Sequence, residues 1–212
     1  MAIFKNSTFG NIRKSIGDDV AYRMGGQNIV RKKPVAVKDA NSLAQQQRRN
    51  ALTEIVKVFR NNSRVIKMGF LETIAKHSAY NAFSSTNLKN AVEFNNEQAT
   101  VNFEKLLVAK GTLPVPVVAN FASAEASKIT MTITNQKDDN QLFDEDKIVF
   151  VFISESGKSV PHVIERKLSQ NMPTALTAQG FETGDTLKVY AFHYANNGAK
   201  ASDSVYLGSL TA

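Results

Sequence analysis

The side chains that could carry acid–base or nucleophilic chemistry are few in this 212-residue chain: it has no Cys, and only three His, His77, His162 and His193. His77 falls late in a helical segment, and the other two fall in strand-like runs. Histidine in such places more often pairs across a strand or meets solvent than takes a substrate proton. The sequence contains no HExxH, no His pair at metal-ligand spacing and no twelve-residue calcium loop. No catalytic residue, cofactor or metal site is therefore expected. Asp138, Asp139, Asp144, Glu145 and Asp146 gather enough carboxylates in one stretch to hold a hard cation. Without the calcium spacing they read as a solvated hairpin. Gly10, Gly17 and Gly25-Gly26 lie among basic residues without forming a phosphate-loop pattern, and read as turn glycines.

The stronger signal is charge. Residues 1–68 carry 14 Lys/Arg against 4 Asp/Glu, and residues 69–212 carry 12 against 15, so the formal charge of +7 belongs to one end. Such asymmetry points that end towards an anionic partner. The candidate contact residues for nucleic acid or a protein partner are Arg13, Lys14, Arg23, Arg31, Lys32, Lys33, Arg48 and Arg49, within a wider basic set that includes Lys57, Arg60, Arg64 and Lys67. Only Phe9 and Tyr22 offer nearby stacking surfaces, which is poor for a single-strand binder. Arg48 and Arg49 fit equally the solvent face of an amphipathic helix, or pairing with acids of a neighbouring subunit.

Residues 11–33 read as a β-hairpin or pair of strands turning at Gly17-Asp18-Asp19 and at Gly25-Gly26. Asn41 or Ser42 caps a helix over about 42–61 whose inward residues are Leu43, Leu52, Ile55, Val56 and Phe59. A second helix over about 64–78 turns Val65, Phe70, Leu71 and Ile74 inward, and the two make a helical hairpin. Residues 79–100, rich in Asn, Ser and Ala, yield only a short helix near Leu88–Val92, and Val101, Phe103 and Leu106–Val108 look like a strand. Beyond Leu113-Pro114-Val115-Pro116, strand-like runs recur at Lys128–Thr134, Lys147–Ser154, His162–Lys167, Thr186–Tyr194 and Ser204–Leu210. The expected fold class is thus α+β: a basic hairpin and helical region over 1–113, then an immunoglobulin- or fibronectin-like antiparallel sandwich over 114–212. The first seventeen residues hold no apolar run of seven, and no window approaches a membrane span. Neither a secretory signal nor membrane insertion is expected.

The stretch TFGNIRKSIGDDVAYRMGGQNIVRKKP, followed by SLAQQQRR, resembles the N-terminus of an uncharacterised Bacteroidota family known as domain of unknown function 6266. Gly17, Tyr22, Gly26, Val30, Arg31, Gln45 or Gln46, and Arg49 fill its pattern. LLVAKGTLPVP is similar to its strand and turn, with Lys110 and Gly111 at the turn, and GDTLKVYAFHYANNGAKASDSVYLGSL to its closing segment. Ala109 stands where the family tends to have Ser, and the helix start at Ser42 lacks its Thr-Pro. The resemblance implies a fold and no activity. The family's distribution implies a bacteriophage or prophage setting.

Together these readings give an expectation of a non-enzymatic structural or assembly protein, made in a bacterial cytoplasm and destined for a virion as a capsid, neck or tail component. Its partners would be copies of itself and other assembly proteins. The alternative is a sequence-nonspecific nucleic-acid-binding protein that uses the basic N-terminal half.

Overall fold

The computed structural model describes residues 2–4, 14–35, 39–71, 78–96, 98–134, 136, 142–154, 158–165 and 171–212. The chain forms two compact units, 1–41 and 42–212. It is an α+β protein with, among the described residues, two helices and a β-rich C-terminal part.

In the first unit, β1 (Ala2–Phe4), β2 (Lys14–Ile16), β3 (Asp19–Met24) and β4 (Gln27–Lys32) form an antiparallel sheet in the order β1-β4-β3-β2. The expected hairpin is therefore part of a four-stranded sheet. Gly25 and Gly26 join β3 to β4 with φ of 58° and 80°, a two-residue reversal with positive φ at both positions. Such a turn matches the natural twist of two strands, and side chains with a Cβ resist it.

The second unit begins with α1 (Leu43–Gly69), and Ser42 is its cap. The Ser42 hydroxyl accepts from the Gln45 N–H at 3.4 Å and the Gln45 side chain accepts from the Ser42 N–H at 3.2 Å, a reciprocal capping box. The two helices expected over 42–61 and 64–78 appear as two helical stretches that run into each other as α1 across a kink at Asn62, where φ is −115° and ψ is 18°, the second ending at Gly69. Asn62 donates to the Val58 carbonyl at 2.8 Å, the backward side-chain bond that bends helices. Leu43 and Leu52, expected inside, are 54% and 41% exposed, and the buried face is made by Ala51, Ile55, Asn62, Val65 and Ile66. The apolar leucines lie off that stripe, so type alone misplaced them. Ile74 lies outside the described residues.

The stretch that yielded only a short helix near residue 88 holds α2 (Ala79–Asn90), capped by Ser78, then the hairpin of β5 (Val92–Asn95) and β6 (Gln98–Val101). Phe103–Lys105 is a 3-10 turn, and Leu106–Val108 is irregular, although both read as strand in sequence. There, packing overrides pattern. Seven strands follow: β7 (Val118–Glu125), β8 (Lys128–Ile133), β9 (Lys147–Ser154), β10 (Ser159–Glu165), β11 (Met172–Thr177), β12 (Thr186–Tyr194) and β13 (Val205–Thr211). They make a three-stranded sheet, β11-β8-β7, and a four-stranded sheet, β10-β9-β12-β13. Pro161 and Pro173 sit in β10 and β11, both edge strands, where a missing N–H breaks no ladder.

The centre of the unit is the β9–β12 pair, buried on both faces. Ile148, Phe150, Phe152, Leu187, Val189 and Ala191 join Ile129, Met131 and Ile133 of β8 in one core. The alternate residues Val149, Val151, Ile153, Tyr190 and Phe192 join Ile55, Val65, Ile66, Phe70 and Phe83 of the helical segment in another. This explains why KIVFVFIS and TLKVYAFHY are almost continuously apolar while β8 alternates. Each wholly buried Phe here contributes about 1.5–3 kcal/mol of burial free energy.

Candidate functional site

The basic residues singled out by sequence fall into three groups. In the first unit, register pairs Asp19 with Lys32, Val20 with Arg31, Tyr22 with Ile29 and Arg23 with Asn28 across β3 and β4. Directly paired residues share a face, so Arg23 and Lys32 lie on one side of the ribbon and Arg31 on the other. Arg31 packs over the Tyr22 ring at 5.9 Å, and the Lys33 N–H is spent on the Asp18 carbonyl. Lys14 opens β2 with φ of 83°. All five of these cations are exposed, but they do not make one surface. Arg13 lies outside the described residues.

Arg48 and Arg49 lie exposed near the start of α1, a hundred degrees apart around it. Arg49 stands opposite the buried face, in line with Lys57, Arg60, Arg64 and Lys67, all exposed. The sequence reading counted these four among the basic residues without placing them together; a helical-wheel reading from Ser42 through Gly69 as one helix would have done so. Lys57 is engaged with Glu54 at 2.6 Å, whereas Arg60, Arg64 and Lys67 face no carboxylate among the described residues.

The residues with chemical potential are built into the scaffold. His193 is wholly buried. Its Nδ1 lies 2.7 Å from the Pro114 carbonyl, so that nitrogen carries the proton, and its backbone N–H donates to the Ser202 hydroxyl at 2.8 Å. The first contact ties β12 to the Pro-containing crossing segment and the second to the residues that precede β13. Asp146 accepts from the Phe143 N–H at 3.0 Å and from the Asn196 N–H at 3.1 Å, joining two loops. Asp144 and Glu145 are exposed beside it, and Asp138 and Asp139 lie outside the described residues, as does His77. Among the described residues no cluster of three metal-ligating side chains occurs. His162 rests edge-on against Phe152 at 5.1 Å between ring centres, and desolvation lowers its pKa. The Tyr190 hydroxyl donates to the Phe103 carbonyl at 2.6 Å, and burial raises its pKa strongly.

Sequence reasoning missed the polar staple between α2 and the irregular segment. Asn87 is fully buried; its amide donates to the Leu107 and Phe83 carbonyls at 2.9 and 3.1 Å and accepts from the Leu107 N–H at 2.9 Å. Beside it, Ser204 accepts from the Val108 N–H at 3.0 Å, and Asp203 accepts from the Gly111 N–H at 3.1 Å. No periodicity marks these residues. The one available signal was an Asn within a stretch that also carries a Ser cap.

A family model described as a family of unknown function (DUF6266) matches residues 11–208. The chain belongs to DUF6266. No curated protein and no solved structure matches it. The match runs through both compact units and through the motif residues that carried the resemblance. In this DUF6266 chain those residues hold turns, caps and packing: Gly17 and Gly26 take positive φ, Tyr22 carries Arg31, and Gln45 closes the capping box. Among the described residues no helix is long and apolar enough to cross a membrane.

Proposed function

We propose that this chain is a non-enzymatic structural or assembly protein, a bacteriophage virion component of the capsid, neck or tail, made in the cytoplasm of a Bacteroidota host. The supporting observation is the use of its polar inventory: His193, Asp146 and Asn87 are each committed to backbone groups that hold loops and layers together. A side chain bound in that way serves rigidity rather than turnover. The C-terminal sandwich is read as immunoglobulin- or fibronectin-like. The three-stranded β11-β8-β7 sheet faces the β9–β12 pair of a four-stranded sheet, seven strands sharing a core, which supports that reading. In this proposal the partners are further copies of the chain and other assembly proteins, meeting by repeated, symmetric contacts.

The test is native mass by light scattering together with electron microscopy, on nuclease-treated protein at low and moderate salt. A ring, tube or shell of fixed stoichiometry that survives moderate salt supports the assembly reading. A monomer at every concentration, with no ordered particle, refutes it.

A further inference from the structure

We propose that the solvent face of α1 is a binding surface for the phosphate backbone of a nucleic-acid duplex, carried by Arg49, Lys57, Arg60, Arg64 and Lys67. The inference is independent of the assembly reading, since it concerns one helix face and no contact between copies. At a hundred degrees per residue these five positions fall within an arc of about 80° opposite the buried Ala51, Ile55, Val65 and Ile66, the last three of which pack on the β9–β12 pair. A helix anchored along one side cannot rotate its cations away. The row spans 18 residues, at most about 27 Å at helical rise, with Arg49, Lys57 and Arg60 before the Asn62 kink and Arg64 and Lys67 after it.

Charge complementarity and the lack of an apolar centre select the partner. A protein interface of useful size buries an apolar core, with Tyr, Trp, Phe or Met enriched at its centre. This row has none, and Phe59, the aromatic of α1, is turned towards Tyr80 and Phe83. The same absence disfavours single strands, which are held largely by bases stacking on aromatic rings. Within α1, Glu54 is paired with Lys57. Arg60, Arg64 and Lys67 are exposed and have no carboxylate partner among the described residues. Duplex DNA offers a charge about every 1.7 Å along its axis, dense enough to meet every cation of the row. Nothing in the row is shaped to read base edges, so the binding is sequence-independent.

The experiment is fluorescence anisotropy with a mixed-sequence 20-base-pair DNA duplex at salt from 50 to 200 mM, with the matching single strand and polyglutamate as comparators. Engaging all five cations gives a slope of log affinity on log salt of about −4.5, or about a 500-fold loss across that range. The triple variant Arg60→Gln, Arg64→Gln, Lys67→Gln should reduce the slope to about −1.8 while its melting temperature stays that of the wild type. The paired variant Arg23→Gln, Lys32→Gln, on the first unit, should leave the slope unchanged. No duplex binding at 50 mM salt, an unaltered slope in the folded triple variant, or tighter binding of the single strand or of polyglutamate would each overturn the proposal.

Discussion

Replacing Asn87 with Leu should destabilise the chain by about 3 kcal/mol, because one amide satisfies three backbone groups. Asn87 is fully buried, and it gives Leu107 both a donor and an acceptor while also bonding the Phe83 carbonyl. Leucine has a comparable volume, so little of the loss comes from a cavity. Each buried donor or acceptor left without a partner costs about 1–3 kcal/mol. Leu107 is only half-buried, so water recovers part of that for its two groups, and the total falls at the lower end of the three-group sum, about 3 kcal/mol. Urea unfolding followed by circular dichroism is the appropriate assay, since the chain has no Trp. At a slope of about 2–3 kcal/mol per molar, the midpoint should fall by about 1–1.5 M with the slope unchanged. The Leu107 amide should also lose hydrogen-exchange protection before its neighbours do. A midpoint shift below about 0.3 M with Leu107 protection intact would refute the claim that this amide staples α2 to the irregular segment.

Gly69→Ala should cost about 1–3 kcal/mol in the same assay, because an added Cβ would stand 2.5 Å from the Val108 carbonyl oxygen and 2.6 Å from the Ala109 Cα, backbone atoms that cannot step aside. Tyr190→Phe should lose about 1 kcal/mol of unfolding free energy by orphaning the Phe103 carbonyl, with the fold retained by circular dichroism. His162 is held neutral by desolvation, its pKa below the ordinary 6.5. The unfolded chain therefore binds the proton more readily: the contribution of His162 is full above about pH 6.5 and is lost as pH falls from there towards the folded value. Melting temperature measured from pH 8 to pH 5 should fall less steeply in His162→Gln than in the wild type, and equal slopes would remove His162 from the account.

Legibility followed the physics of burial. The β9 and β12 runs were read from sequence at their observed bounds, Lys147–Ser154 and Thr186–Tyr194, because a strand covered on both faces is apolar throughout and ends abruptly at polar residues. β7 and β11 escaped notice: VANFASAE is rich in small residues and MPTALT has a proline at its second position, so neither presents a β-branched alternation. α2 was obscured for a similar reason, its sequence AYNAFSSTNLKN being polar on most sides while Phe83 and Asn87 do the packing. The division expected between 61 and 64 falls where α1 bends. The structure absorbs that break as a kink, with Asn62 bonding back to Val58. The candidate basic residues were legible as a composition and not as a surface, since strand register splits Arg31 from Arg23 and Lys32, while helical geometry aligns Arg49 with four cations further along.

That contrast bears on how such a chain can act. Inside the second unit, polar side chains replace missing backbone partners: Asn87 serves Leu107, Asp146 serves Phe143 and Asn196, and Ser204 serves Val108. Irregular segments can then cross a core without leaving bonds unmade. The double-faced β9–β12 pair fixes α1 on one side and the three-stranded sheet on the other, so a force or a bound partner at either surface is met by one continuous packed body. Interiors packed in this way yield little under strain. The helix face and the three-stranded sheet thus lie on opposite sides of one stiff strand pair, and the duplex-binding and particle-mass experiments test the two proposals separately.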